Sequence, residues 1–199
     1  MEKLFIKKEI TYTGSELAPH WIYRNFNLRG DSIVCFKGKV NVDLSHMVDI
    51  EDVINNEPIK SDKMANFIIE IFNSNLKETI FRQRLFISII KEVLFDAGYQ
   101  VKRKGDDLFY NGKKLSVSIA TKSTTSTLIH TGINLVSTGA PIEVSSIADM
   151  ENINEDDFIE EVMTRFCLEE QDIEFAKVKV RGVQSKKRGY IWAWSRLII

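Results

Sequence analysis

Residues 106–135, DDLFYNGKKLSVSIATKSTTSTLIHTGINL, contain the pattern that decides the fold. Asn111-Gly112 separates two runs in which apolar and polar residues alternate, and in that setting this dipeptide is the strongest short-range signal for a β-hairpin. A further alternating run extends from Ser126 to Leu135 and contains one histidine. We therefore predict successive strands across this stretch, with the first two joined by a tight turn at Asn111-Gly112.

The strand after that turn opens on a lysine. Side chains alternate across a strand, so Lys114, Ser116 and Ser118 are predicted to share one face. The aliphatic residues predicted to take the opposite face and to pack on helices are Leu115, Val117 and Ile119. An ammonium group with small hydroxyls behind it suits an anionic ligand such as a phosphate or a carboxylate. The alternative is an exposed strand whose polar face meets water.

The last strand of the stretch carries His130 and Gly132. A lone histidine among alternating apolar residues is more often a hydrogen-bonded packing residue than a general base, which needs a positioned proton donor. A glycine inside a strand indicates either a β-bulge or a close approach of the backbone to a ligand. The pattern leaves these alternatives open.

The strongest helix pattern lies before the hairpin. From Leu76 to Ala97, apolar residues recur at helical spacing in a wide stripe, and Gly98 is a suitable C-cap. A second amphipathic helix is predicted from Asn154 to Leu168, and alternating strands are predicted near the N-terminus. This mixture indicates one α+β domain over residues 1–199, with a mixed or antiparallel sheet and helices packed on it.

Composition and charge exclude several classes of protein. The 199 residues are 44% hydrophobic and 28% charged with a net charge of −1, which argues against a surface dedicated as a whole to nucleic acid. No apolar run is long enough to span a bilayer, and no signal-peptide pattern is present. Cys35 and Cys167 lie in patterns typical of small buried side chains rather than of a disulfide or a metal pair. We therefore expect a cytoplasmic protein with no metal site and no membrane partner.

The C-terminal segment, about residues 177–199, is basic and aromatic and has no acidic residue. Lys186 to Arg188, followed by Tyr190, Trp192 and Trp194, could contact a phosphate backbone and stack on bases. Alternating aromatic residues are more often one buried face of a strand, and charge runs are usually solvated. Nucleic-acid binding is therefore the third of the functions considered.

The hairpin and the strand after it resemble the lipoate–protein ligases. In those enzymes an Asn-Asp-Leu precedes a hairpin whose second strand opens on the catalytic lysine, and here Asp106-Asp107-Leu108 precedes Lys114. IHTGINL, residues 129–135, is similar to the next strand of the superfamily. That strand reads His-Gly in lipoate ligases and octanoyl transferases, and Gly-Ile-Asn-Val in biotin–protein ligases. This resemblance covers about Leu76 to Leu135.

A closer resemblance covers nearly the whole chain. The segments GSELAPHWIYRNF, GDSIVCFKGKVNV and MVDIEDV resemble domain-of-unknown-function family 366. That family has a biotin/lipoate–protein ligase-like fold, of the class II aminoacyl-tRNA synthetase and biotin synthetase-like type. The resemblance implies the same fold for this chain.

The resemblance also implies roles for individual residues. Lys114 takes the position of the ligase lysine that contacts the substrate carboxylate and the nucleotide α-phosphate as an acyl adenylate forms. Stabilisation of this kind contributes roughly 3–4 kcal/mol per well-placed donor. His130 takes the position of the strand histidine and is the second catalytic candidate. The predicted residues for binding substrate or nucleotide are Asp107, Ser116, Ser118, Gly132 and Asn134.

Two departures from the ligase pattern argue against assigning the substrate of those ligases to this chain. The chain has neither the Arg-Arg with a Gly-rich run of lipoate ligases nor the Gly-Arg-Gly-Arg motif of biotin ligases. Val117 stands where lipoate ligases have glycine, and it would narrow an acyl tunnel. The leading hypothesis is an adenylate-forming ligase or acyl transferase acting on a small carboxylic acid, with ATP and Mg²⁺ as cofactors and an acyl-carrier protein as partner. The alternative is a non-catalytic module that binds a nucleotide or an acyl ligand.

Overall fold

The computed structural model describes residues 1–183. The strands are β1 (Glu2–Ile6), β2 (Ser32–Val42), β3 (Ile59–Phe72), β4 (Lys102–Lys104), β5 (Asp107–Tyr110), β6 (Lys113–Lys114), β7 (Ser116–Lys122) and β8 (Ser126–Asn134). The α-helices are α1 (Trp21–Phe26), α2 (Ile50–Asn55), α3 (Leu76–Asp96) and α4 (Glu155–Lys179). The basic and aromatic residues from Lys186 to Trp194, on which the third candidate function of nucleic-acid binding rests, lie outside the described residues.

Two sheets organise this part of the chain. The larger has five strands in the order β1-β2-β3-β8-β7, and the smaller has three in the order β4-β5-β6. β1 runs parallel to β2, whereas the other neighbours in the larger sheet are antiparallel. The predicted α+β class with a mixed sheet is confirmed.

One face of the larger sheet is covered by α3 and α4. Phe67 on β3 meets Phe86 on α3 edge to face, with ring centroids 5.2 Å apart, and Phe86 meets Phe166 on α4 in the same way at 4.9 Å. All three side chains are fully buried. Such pairs contribute about 0.5–1.5 kcal/mol each beyond the area that they bury. This column of rings therefore joins both helices to the centre of the sheet.

The ends of the two long helices have local causes. α3 begins at a capping box, in which Asn75 accepts a hydrogen bond from the Glu78 N–H and Glu78 accepts one from the Asn75 N–H. α4 extends to Lys179, beyond the predicted end at Leu168, because Glu, Gln, Ala and Lys sustain a helix after its buried stripe stops. No helix within residues 1–183 has both the length and the apolar character needed to cross a bilayer.

Side chains of residues 10–28 pack on the opposite face of the sheet, and the start of this segment pairs with the edge of β2. The Ile10 N–H donates to the Lys37 carbonyl at 3.0 Å, and the Tyr12 N–H donates to the Lys39 carbonyl at 2.8 Å. Gly38 lies between these bonds, where a Cβ would overlap the carbonyl of Ile10. The absence of a side chain at Gly38 therefore lets this segment lie against β2 and carry Tyr12 over the sheet.

The predicted hairpin turn is present between β5 and β6. Asn111 and Gly112 both have positive φ, at 50° and 81°, and Tyr110 pairs with Lys113 across them. These are the dihedral signs of the tight turn that favours Asn-Gly.

The predicted facing of the next residues is wrong. Leu115 belongs neither to β6, which pairs in the smaller sheet, nor to β7, which pairs in the larger one. Leu115 is buried on the helix side as predicted, but Ser116 is buried there as well, whereas Val117 packs on the opposite side. An irregularity of one residue exchanges the two faces of a strand. The break at Leu115 therefore reverses the alternation that the sequence predicts for β7.

We expect Gly38→Ala to lower the free energy of unfolding by about 1–3 kcal/mol or more. The added Cβ would clash with the backbone carbonyl of Ile10, and a rotamer change cannot relieve that clash. Gly182→Ala is the matched control, since nothing lies within 4 Å of a Cβ at that position. Chemical denaturation of both variants measures the difference. Equal stabilities would contradict the close approach of Ile10 to β2.

Candidate functional site

A cavity of about 580 Å³ opens on the face of the larger sheet that α3 and α4 leave free. Its floor includes residues of β3, β7 and β8, and its rim is formed by residues between His46 and Lys60, which include α2, and by residues 140–144. Small-molecule sites typically measure about 300–1,000 Å³. The size therefore admits a ligand of metabolite size.

Two stacked rings lie at the floor of this cavity. The rings of Tyr12 and His130 are 12° from parallel, with centroids 3.8 Å apart. Asn66 donates through Nδ2 to the Met64 carbonyl at 3.3 Å, so its Oδ1 accepts the hydrogen bond from His130 Nε2 at 3.1 Å. Burial lowers the pKa of His130 to about 3. At neutral pH His130 is therefore an uncharged and very weak base.

Tyr12 presents a hydroxyl to the cavity. The residue is 4% exposed, and its hydroxyl makes no hydrogen bond within residues 1–183. In the same part of the chain, Ser61 Oγ is the single fully occluded side-chain oxygen or nitrogen without a partner, so the Tyr12 hydroxyl retains contact with the cavity. Burial, and then Glu16, raise the pKa of Tyr12, which therefore keeps its proton. Sequence reasoning missed Tyr12, because no local pattern connects it with residues 106–135.

Gly132 is required by packing across the floor. A Cβ at this position would lie 2.8 Å from Met64 Cε and 3.1 Å from Val117 Cγ2. The pairing of β8 with β3 and with β7 continues through Gly132 without a shift of register, so the alternative of a β-bulge is wrong. The glycine accommodates two side chains that close the floor.

Lys114 lies in the wall of the cavity and pairs with Asp107, which also lines it. Lys114 Nζ is 3.0 Å from Asp107 Oδ1, and the two side chains are 35% and 30% exposed. Lys113 pairs instead with Glu143 at 3.2 Å, and neither of those residues lines the cavity. Of the two adjacent lysines, Lys114 is therefore the one available to a ligand.

Asn134 and Ser145 hold the backbone around Lys114. Asn134 Nδ2 donates to the carbonyls of Ser145 and Lys114, at 3.1 and 3.4 Å. The Ser145 N–H donates to the same Lys114 carbonyl at 2.9 Å, and Ser145 Oγ donates to the Lys113 carbonyl at 3.0 Å. These bonds fix where the lysine side chain starts. Ser145 lies outside residues 106–135, from which the site was predicted, and it belongs to no recognisable motif.

The hydroxyls of Ser116 and Ser118 are engaged on the helix side of β7. Ser116 Oγ accepts a hydrogen bond from the Leu108 N–H at 2.9 Å. Ser118 Oγ accepts one from Gln83 of α3 at 3.0 Å and is 2.9 Å from Thr131 Oγ1. Both residues border the cavity, but their hydroxyls already have partners. The reversed facing of β7 accounts for this arrangement.

The rim of the cavity is acidic. Its charged lining residues are Asp49, Glu51, Asp52, Glu57, Asp106 and Asp107, against Lys60 and Lys114. Burial raises the pKa of Asp52 and the charge of Asp49 adds to the effect, while Lys114 opposes it. Among these residues, the two lysines alone carry a charge that attracts an anionic ligand.

The arrangement is better suited to binding and charge stabilisation than to proton transfer. His130 is uncharged and already hydrogen-bonded to Asn66. Lys114 can neutralise a carboxylate or phosphate as a compact point charge without moving a proton. Lys114 therefore offers this cavity a positive charge that can contact an anion.

Residues 1–181 match the family described as Domain of unknown function (DUF366). The chain is also similar to a solved protein of unknown function from Pyrococcus horikoshi. The two are 39% identical and superpose with a TM-score of 0.87, over 92% of this chain and 99% of that one.

A ligase and a putative ligase share the fold at lower identity. A biotin protein ligase from Aquifex aeolicus, in complex with biotin and ATP, is 11% identical with a TM-score of 0.59, over 87% of this chain and 72% of that one. Ta0514 from T. acidophilum, a putative lipoate protein ligase with bound lipoic acid, is 16% identical with a TM-score of 0.57, over 86% of this chain and 87% of that one. Similarities at such low identity concern the fold alone, and they confirm the predicted biotin/lipoate ligase-like fold.

The buried imidazole makes stability depend on pH. The ordinary pKa of histidine is 6.5 and that of folded His130 is about 3. Below pH 6.5 the unfolded chain therefore takes up a proton that the folded protein does not bind. We expect the free energy of unfolding to fall by about 1.4 kcal/mol per pH unit from this group as the pH decreases.

Between pH 7 and pH 5 the protein should consequently lose about 2 kcal/mol more stability than His130→Gln, measured by urea denaturation at both pH values. The raised carboxyl pKa values of Asp52 and Glu170 act equally in the two proteins and cancel. The same pH dependence in both proteins would contradict the assignment of a neutral, buried His130.

Proposed function

This chain belongs to the family Domain of unknown function (DUF366), and we propose that it binds a small carboxylic acid or acyl ligand beside Lys114 and acts as an adenylate-forming ligase or acyl transferase. The observation that carries the proposal is the ammonium group of Lys114 in the wall of a cavity of ligand size. Proteins of the same fold support it through their ligands, since biotin and lipoic acid are both carboxylic acids.

In this proposal a ligand carboxylate replaces Asp107 at Lys114. Ion pairs as exposed as this one contribute only about 0–1 kcal/mol, so exchanging one carboxylate for another costs little. The pair would therefore hold Lys114 in place until a ligand arrives.

The remaining wall suits the uncharged part of a short ligand. Met47, Val117 and Ile119 line the cavity, and the Tyr12 hydroxyl offers one hydrogen-bond donor at its floor. Met64 and Val117 meet above Gly132 and close the floor. These contacts favour a compact acid over one with a long acyl chain.

A nucleotide fits this cavity less well than a small acid. Six carboxylates line it against two lysines, so the phosphates of ATP would need accompanying cations. Within residues 1–183 no group of three or more His, Cys, Asp or Glu side chains is arranged to hold a metal ion, so Mg²⁺ would have to arrive on the nucleotide. This favours, as the second candidate, a module that binds an acyl ligand without catalysis.

Replacing Lys114 tests the proposed binding. A ligand is first identified by thermal shift against biotin, lipoate, short and long fatty acids, ATP and other nucleotides, because a ligand of the native state raises the melting temperature. Calorimetry with Lys114→Ala should then show at least a tenfold loss of affinity, since a charge-assisted contact contributes about 1.5–3 kcal/mol. Lys113→Ala is the matched control and should bind normally.

Three results would count against the role of Lys114. Equal losses in both variants would indicate diffuse surface charge, and unchanged binding in both would indicate a solvated lysine. A melting temperature lowered by several degrees in Lys114→Ala alone would indicate a structural ion pair with Asp107.

Isotope exchange separates the ligase from the binding module. An adenylate-forming enzyme should exchange labelled pyrophosphate into ATP when the correct acid is present, without any acceptor protein. An acyl transferase that uses an activated donor should give no exchange, but with an amine acceptor present it should transfer the acyl group from an acyl-carrier donor to that amine and release the carrier. Ligand binding without either reaction across the acid panel would favour the non-catalytic module.

A further inference from the structure

A second, smaller hollow lies apart from the cavity described above. Its volume is about 190 Å³, and it is bounded by α1, by residues 28–30 and by the end of β3. No residue lines both spaces. Its polar lining combines Glu70 with Arg29, His20 and Tyr23, and Phe72 supplies an apolar wall.

Glu70 is a buried carboxylate with one oxygen in use. The residue is 1% exposed. Its Oε1 accepts hydrogen bonds from the His20 N–H at 2.8 Å and from Ser126 Oγ at 2.6 Å. Within residues 1–183, Oε2 has no hydrogen-bond partner, yet it is not among the fully occluded atoms that lack one. The small surface that Glu70 retains is therefore at Oε2, where the residue borders the hollow.

A carboxylate in this position favours the binding of a cation. Removing a charged group from water is expensive unless an opposite charge or further hydrogen bonds compensate for the loss of solvation. No Lys, Arg or His within residues 1–183 forms an ion pair with Glu70, although such pairs are frequent elsewhere on the molecule. The two bonds to Oε1 hold the carboxylate in place and leave Oε2 without a donor.

The walls of the hollow favour an organic cation over a metal ion. The His20 and Phe72 rings stack with centroids 5.7 Å apart and 17° from parallel, and Tyr23 adds a third ring. Aromatic faces attract ammonium and guanidinium groups. A metal ion would need several oxygen or nitrogen ligands, and within residues 1–183 no such group is assembled.

We propose that this hollow is a binding site for a primary ammonium or guanidinium group, which pairs with Glu70 Oε2 between the aromatic walls. The site is independent of the proposed function at Lys114. Arg29 lies at its exposed rim and is, among residues 1–183, the one arginine that lines it. The test must therefore distinguish an external cation from the side chain of Arg29.

The probes are methylguanidinium and ethylammonium chlorides, titrated at constant ionic strength and followed by amide chemical shifts around α1 and the end of β3. Saturable shifts are expected with both cations, and none with methylurea, which has a similar shape but no charge. Glu70→Gln keeps an oxygen for His20 and Ser126 and replaces the charged oxygen by an amide. It should weaken cation binding at least tenfold, while Arg29→Ala should bind as well as the native protein or more tightly.

Each other outcome overturns the proposal. Equal binding of methylguanidinium and methylurea by the native protein would show that charge is not recognised, and this comparison holds even if Glu70→Gln fails to fold. Undiminished binding by a folded Glu70→Gln would remove Glu70 from the site. Binding by Arg29→Ala but not by the native protein would show that the Arg29 side chain occupies the hollow in the native protein. Lys114→Ala should leave cation binding unchanged, so that failure at one site does not imply failure at the other.

Discussion

β3 hydrogen-bonds to β2 along one edge and to β8 along the other, and its side chains face two different environments in alternation. Phe67 and Ile69 point to α3 and α4, whereas Met64 and Ile68 point to the cavity side. A strand paired on both edges cannot slip by one residue without exchanging these two sets. Its register therefore fixes at once which surface receives the helices and which surface carries the cavity, and both sites described above border the second surface.

The hairpin and the long helices could be predicted because their signals are local. The turn at Asn111-Gly112 follows from the dihedral preferences of those two residues, and the start of α3 follows from Asn75 and its capping partner. The facing of β7 could not be predicted, because it depends on the break at Leu115, where the chain leaves one sheet and joins another. Periodicity assumes that a strand continues, and no residue type at Leu115 marks the interruption.

The candidate site divides in the same way. Lys114 and Asp107 were found through a motif, and they lie side by side in the cavity wall. Tyr12, Asn66 and Ser145 were missed, because they reach the cavity through pairing and packing between distant segments. The acidic rim was also missed, since segment 46–60 has no feature that indicates where it folds. The cavity is therefore lined by six carboxylates and two lysines, a balance of charge that no local sequence pattern indicates.

The stack of Tyr12 on His130 joins the beginning of the chain to its second half. The hydrogen bond between His130 and Asn66 likewise joins residues far apart in sequence, and such contacts form late, because long loops must close before they are made. A nascent chain emerging from the ribosome would thus have the stacking partner Tyr12 long before it has the ring to stack on. The cavity exists only once these distant segments have packed together, so a ligand held there would bind and stabilise the folded molecules alone.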